Sequence, residues 1–137
     1  MALKFGSIGI VTRDMAASLA FYRTLGMDIP ARADNASHVE VTLKGGVVIV
    51  WDSVKIITGF DPNYTFPTGG HHISLAFDQG TPEGVDQAHA KLVAAGYPAH
   101  IDPWDAFWGQ RYTVFLDPDG NSIDLYASLT TDPTDAA

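Results

Sequence analysis

The stretch Ile8-Gly-Ile-Val-Thr-Arg-Asp14 decides the fold, because it returns 65 residues later as Ile73-Ser-Leu-Ala-Phe-Asp78. Each copy is a short alternating apolar run ending in Asp, the pattern of a half-buried strand, and an internal repeat fixes an architecture before any local reading does. A helix follows each copy. In the first, Asp14 is a natural N-cap, Met15, Leu19, Tyr22 and Leu25 recur on one helical face, and Gly26 supplies a left-handed stop. In the second, Thr81 caps, Pro82 suits the first turn, Val85, Ala88, Leu92 and Ala95 form the apolar stripe, and Gly96 ends it.

Beyond each helix the periodicity changes to that of strands. Val39 to Lys44 and Val47 to Asp52 flank Gly45-Gly46, a pair suited to the positive φ of a tight hairpin. Tyr112 to Asp117 and Ser122 to Tyr126 flank Pro118-Asp-Gly-Asn121, which is turn chemistry throughout. A further short strand is expected near Ile29 to Ala33 and another near Ala99 to Asp102. The reading is an α+β chain of two βαβββ modules, 1–58 and 71–128, joined by a Gly-, Pro- and Asn-containing loop at 59–70 and closed by a polar, frayed tail at 129–137. Two such modules would pair their curved sheets and enclose a cleft, the expected site.

Composition narrows the function classes. The 137 residues are 46 % hydrophobic and 18 % charged, enough to bury a real core. Without cysteine, only His, Asp and Glu remain as strong metal ligands. Eight Lys and Arg against 16 Asp and Glu, a net charge of -8 with no basic cluster, argue against nucleic acid. No apolar run approaches the roughly 20 residues of a spanning helix, and the N-terminus lacks signal-peptide character, so no membrane role and a cytoplasmic location are expected.

The pieces Ile8 to Gly26 with Phe21-Tyr22 and Leu25-Gly26, His72 to Asp78, and Phe115-Leu-Asp-Pro-Asp-Gly-Asn-Ser-Ile-Asp-Leu125 resemble the vicinal oxygen chelate superfamily over about residues 3 to 128. That superfamily includes glyoxalase I, extradiol dioxygenases and bleomycin-resistance proteins. The resemblance implies the glyoxalase/bleomycin-resistance fold. It also implies metal ligands at the head of each module's first strand and on its last strand. Those places hold Ser7, His72 and Asp124, with Val50 at the fourth, or Asp52 on the same strand face if the register shifts. A divalent catalytic site usually takes three good protein ligands, and serine is a poor substitute for imidazole. No metal and no other cofactor are therefore expected. His72 reads first as a hydrogen-bonded strand histidine and Asp124 as a polar residue facing the cleft, and the two can pair.

The densest local signal is Pro103-Trp-Asp-Ala-Phe-Trp-Gly-Gln-Arg-Tyr112, with Trp104, Phe107, Trp108 and Tyr112 within ten residues and two of the three tryptophans of the chain. Rings in a loop either pack beneath it or offer faces to a planar guest. Trp108, beside Gly109, is the expected platform, and Trp104 the ring that underpins the loop. Trp51 is either cleft lining or core. His38 heads a strand and is a candidate for the pocket. Adjacent His71 and His72 point to opposite strand faces, and the repeat favours His72. His89 and His100 read as surface or partly packed residues, while Glu40 and Glu83 lack an identifiable acid or base partner.

This aromatic stretch resembles the drug-binding branch of the superfamily, the bleomycin, mitomycin and thiocoraline binding proteins. That resemblance implies a homodimer sequestering an aromatic natural product or antibiotic without chemistry. The expected ligand-binding set is Trp108, Trp104, Phe107, Tyr112, Trp51, Asp52, His38, Ser7, His72 and Asp124. The alternative is a metal-dependent glyoxalase-like lyase, isomerase or dioxygenase in which His72, Asp124 and Asp52 ligate the ion. A third reading leaves the site empty and makes the dimer itself the product.

Overall fold

The computed structural model describes residues 2–70 and 72–130, so His71 and residues 131–137 of the expected frayed tail lie outside it. The chain divides into two compact units, Met1–Thr68 and Gly69–Ala137. Both are mixed α+β, each built on one small sheet.

The first unit runs β1 (Ile8–Thr12), α1 (Met15–Leu25), a short 3-10 helix (Ala31–Asn35), β2 (His38–Thr42), β3 (Val48–Ser53) and α2 (Val54–Phe60). The Asp14 side chain accepts a hydrogen bond from the Ala17 N–H, capping α1, and Gly26 ends the helix at φ 126°. Strand order is β1-β3-β2, with β1 parallel and β2 antiparallel to β3. Side chains alternate across such a sheet. Ile10, Val39, Ile49 and Trp51 are accordingly buried, together with Leu19, Phe21 and Tyr22 of α1.

One expectation fails here and one element is additional, each for a local reason. The strand expected near Ile29 to Ala33 is absent, so this sheet has three strands rather than four. Pro30 has no N–H to give a ladder. The Arg23 guanidinium takes the carbonyls of Ile29 at 2.7 Å and Pro30 at 2.8 Å and pairs with Asp34 at 2.9 Å, so the backbone acceptors are satisfied from α1. Conversely, Val54–Phe60 forms an unexpected helix, capped by the Ser53 hydroxyl, which accepts from the Ile56 N–H at 3.2 Å. Its seven residues are too few to show a helical period.

The second unit runs β4 (Ser74–Asp78), α3 (Pro82–Ala94), β5 (Ala99–Ala106), β6 (Gln110–Leu116) and β7 (Ser122–Ser128). The Thr81 hydroxyl caps α3 by accepting from the Gly84 N–H. Strand order is β4-β7-β6-β5, with β4 parallel to β7 and the other pairs antiparallel. Val85 and Leu92 of α3 are buried with Phe115, Ile123 and Leu125 of the sheet. The register of β6 on β7 is held by the turn between them. One oxygen of buried Asp117 accepts from the Asp119 and Asn121 N–H groups and the other from the Asn121 side-chain amide, all at 2.9 Å. Gly120 takes φ 89°, a conformation that other residues resist.

Trp51 is corrected from candidate ligand contact to core. It is fully buried and packs edge-on against Tyr22 at 5.2 Å between ring centroids. Trp51→Ala is expected to cost about 3 to 5 kcal/mol of stability, measured by urea unfolding, because it empties the centre of the first unit. A cost below about 1 kcal/mol would contradict the placement.

Candidate functional site

In the second unit α3 packs on one face of the sheet, and strand register assigns the residues of the other. Trp104 of β5 pairs with Tyr112 of β6, Tyr112 with Tyr126 of β7, and Tyr126 with Asp78 of β4. Three aromatic rings and a carboxylate therefore form one row across four strands. The next row is Ile101, Val114, Asp124 and Ala76.

Trp108 leans onto this row from the β5–β6 hairpin. Its ring centroid is 5.8 Å from Trp104 and 5.3 Å from Tyr112, and Trp104 is 5.5 Å from Tyr112, with interplanar angles of 89°, 83° and 71°. These are edge-to-face contacts, which position rings without stacking one face on another. Phe107 continues the cluster at 4.9 Å from Trp108. The Trp108 indole N–H donates to the Gln110 side-chain oxygen at 2.8 Å, and Gly109 turns the hairpin at φ 94°. Trp108 is nevertheless 48 % exposed and Phe107 96 % exposed, whereas Trp104 is half-buried. Trp104 is thus the more buried of the two indoles and Trp108 the more exposed.

Asp124 sits beneath the cluster. Its two oxygens accept hydrogen bonds from the Tyr112 hydroxyl and, at 2.8 Å, the Ser122 hydroxyl. Burial, followed by this bond to a carboxylate, pushes the Tyr112 phenol upward. Tyr112 thus stays protonated near neutrality and acts as a donor, fixing its ring relative to Trp104 and Trp108.

In the first unit, His38 and Glu40 lie two apart on β2, and Asp52 of β3 pairs with His38. Their side chains meet on the face opposite Trp51, where His38 Nδ1 lies 2.6 Å from Asp52 and Nε2 lies 2.8 Å from Glu40. The absence of a partner expected for Glu40 is corrected by this contact. Its signal was available in the i, i+2 spacing of a strand. Ser7 is exposed just before β1, and His72 is half-buried two residues before Ser74.

The metal positions that the family resemblance implies are answered by these contacts. Ser7, Val50, His72 and Asp124 offer one imidazole and one carboxylate, and that carboxylate is taken by two hydroxyls. Asp52 does not complete the set, because it faces His38 within its own sheet. Among the described residues no group of three or more His, Asp or Glu is placed to hold a metal ion. These donors do not fit a divalent centre, which usually takes at least three protein ligands. Sequence reasoning also missed Gln110, Ser122, Tyr126 and Asp78. Their place in the site depends on pairing register, although alternation along β7 links Ser122, Asp124 and Tyr126.

The carboxylates of Glu40 and then Asp52 raise the His38 pKa above its ordinary 6.5. The stability this clamp contributes is fully present below pH 6.5, the ordinary value, and is lost as pH rises through the raised folded-state value. Histidine NMR titration is expected to place the His38 midpoint above the ordinary value, with a lower midpoint in Glu40→Gln. A wild-type midpoint at or below the ordinary value would contradict the clamp.

Residues 4–125 match the family model described as Glyoxalase/Bleomycin resistance protein/Dioxygenase superfamily. A family member from Burkholderia phytofirmans PsJN is similar in structure, with TM-score 0.76 and 24 % identity over 90 % of this chain and 97 % of that one. A protein of unknown function from Agrobacterium tumefaciens str. C58 aligns with TM-score 0.70 and 26 % identity over 94 % and 97 % of the two chains. A lactoylglutathione lyase from Agrobacterium tumefaciens aligns with TM-score 0.65 and 19 % identity over 90 % and 92 %. No curated protein matches significantly. With the family model spanning most of the chain and the solved structures repeating its α+β fold, the chain belongs to the Glyoxalase/Bleomycin resistance protein/Dioxygenase superfamily.

Proposed function

We propose that this protein binds an aromatic small molecule, of the natural-product or antibiotic type, and holds it without converting it. The observation that carries this reading is the row Trp104–Tyr112–Tyr126 with Trp108 leaning on it, half exposed and fixed by its bond to Gln110. An exposed, oriented indole is an expensive surface to leave in water, and a flat guest covers it at roughly 25 cal/mol per Å² of apolar area. Covering about 300 Å² of ligand and protein apolar surface is worth roughly 7 kcal/mol before association costs.

The site residues we assign are Trp108 and Phe107 as contact surfaces, with Trp104 and Tyr112 as their supports. Asp124 holds Tyr112 in place. His38, Asp52, Ser7 and His72 remain secondary candidates. A lyase, isomerase or dioxygenase of the metal-dependent kind would need a donor set that these side chains do not supply. We further assign a cytoplasmic homodimer. Support for the dimer comes from the outer strands β1, β2, β4 and β5, which among the described residues have no second strand neighbour, an arrangement that favours closed association. Among the described residues no helix is long and apolar enough to cross a membrane.

Trp108→Ala tests the reading directly. Affinity for a quinoline- or quinone-bearing ligand, measured by calorimetry, is expected to fall by about 1 to 3 kcal/mol while the melting temperature stays nearly unchanged. Unaltered affinity, or a large drop in melting temperature, would overturn the role of Trp108. Trp104→Ala is the comparison, expected to lower both because Trp104 supports the loop.

A further inference from the structure

The chain's charge is divided unevenly. Residues 1–68 carry six Lys and Arg against six Asp and Glu, whereas residues 69–137 carry two against ten. The whole formal charge of -8 therefore belongs to the unit that bears the aromatic row. Of the carboxylates of this unit, Asp78 and Asp124 stand on the aromatic face, whereas Asp86 and Asp105 pair with Arg111.

The two cations of the second unit lie off the aromatic face. Arg111 pairs with Asp86 of α3 at 3.0 Å and with Asp105 at 3.1 Å, and it alternates with Tyr112 on β6, which puts it on the α3 side of the sheet. Lys91 is within α3. Among the residues of the four strands themselves, the face with Trp104, Tyr112 and Tyr126 carries the carboxylates Asp78 and Asp124 and no Lys or Arg. Three rings at 71° to 89° to one another, with centroids 5.3 to 5.8 Å apart, also turn their π-faces in different directions. Aromatic faces carry partial negative charge and attract cations, most strongly when the ring is an indole.

We infer that the ligand of this site is an organic cation, a flat aromatic compound bearing a quaternary or protonated nitrogen, held by the Trp104–Trp108–Tyr112 rings beside the carboxylates Asp78 and Asp124. This rests on the aromatic-binding reading above and adds the charge of the ligand to it. Rings alone would accept any flat guest. The carboxylates on the same face favour a positively charged one and disfavour an anion.

Three probes of nearly equal size separate these contributions by calorimetry on the full chain near neutral pH. They are N-methylquinolinium, uncharged quinoline and anionic quinoline-4-carboxylate. N-methylquinolinium is expected to bind roughly tenfold tighter than quinoline, with the carboxylate weakest. This advantage should shrink as salt rises from about 0.05 to about 0.5 M, because screening acts on the attraction to the carboxylates and not on ring contact. Trp108→Ala should weaken both quinoline and N-methylquinolinium. Asp78→Asn should reduce the ratio of N-methylquinolinium affinity to quinoline affinity severalfold. Equal affinity for the cation and quinoline, or tighter binding of the carboxylate, overturns the inference while leaving the aromatic site standing if Trp108→Ala still weakens binding. Failure of all three probes to bind at millimolar concentration overturns the aromatic-binding reading and this inference together.

Discussion

A small sheet presents two faces to its surroundings, and an amphipathic helix of 11 or 13 residues, such as α1 or α3, covers one of them. Alternation along the strands then sorts side chains strictly. In the second unit, Phe115, Ile123 and Leu125 join Val85 and Leu92 in the core. Tyr112, Asp124 and Tyr126, one residue out of step, are sent to the opposite face. Neither set can be exchanged for the other without a slip in register, and a slip of one residue would bury Asp124 against the helix. The Asp117–Asn121 turn guards against this by fixing β6 on β7 through three bonds to one buried carboxylate. The buried core and the aromatic row are thus two outcomes of one pairing pattern.

The repeat, both caps of the long helices and the two glycine stops were legible because each rests on neighbouring residues. Asp14 needs only Ala17, and Thr81 only Gly84. Features depending on distant partners were less visible. The strand expected near Ile29 failed because Arg23, on the preceding helix, captures its carbonyls. Trp51 was ambiguous because its burial depends on which face α1 covers. The aromatic stretch was conspicuous as composition, yet its ordering into a row required the pairing of Trp104 with Tyr112 and of Tyr112 with Tyr126, across two strand boundaries.

Membership of the superfamily establishes the scaffold, while the chemistry depends on what stands at its functional positions. Here the positions that the family resemblance implies hold a hydroxyl, an aliphatic residue, one imidazole and a carboxylate engaged by Tyr112 and Ser122. The arrangement supplies oriented rings and negative charge, features suited to recognition. The second unit carries the net negative charge of the chain and also the half-exposed indole of Trp108.

The central claim is that the aromatic face of the second unit is a binding surface. It is tested most directly by following the three tryptophan indole N–H resonances during titration with N-methylquinolinium. The account predicts that Trp108 and Trp104 shift in a saturable manner, with ring contacts from the probe to Trp108 in nuclear Overhauser spectra, while Trp51 stays in place. Saturable shifts confined to Trp51 and the first unit, with Trp104 and Trp108 unmoved, would contradict it.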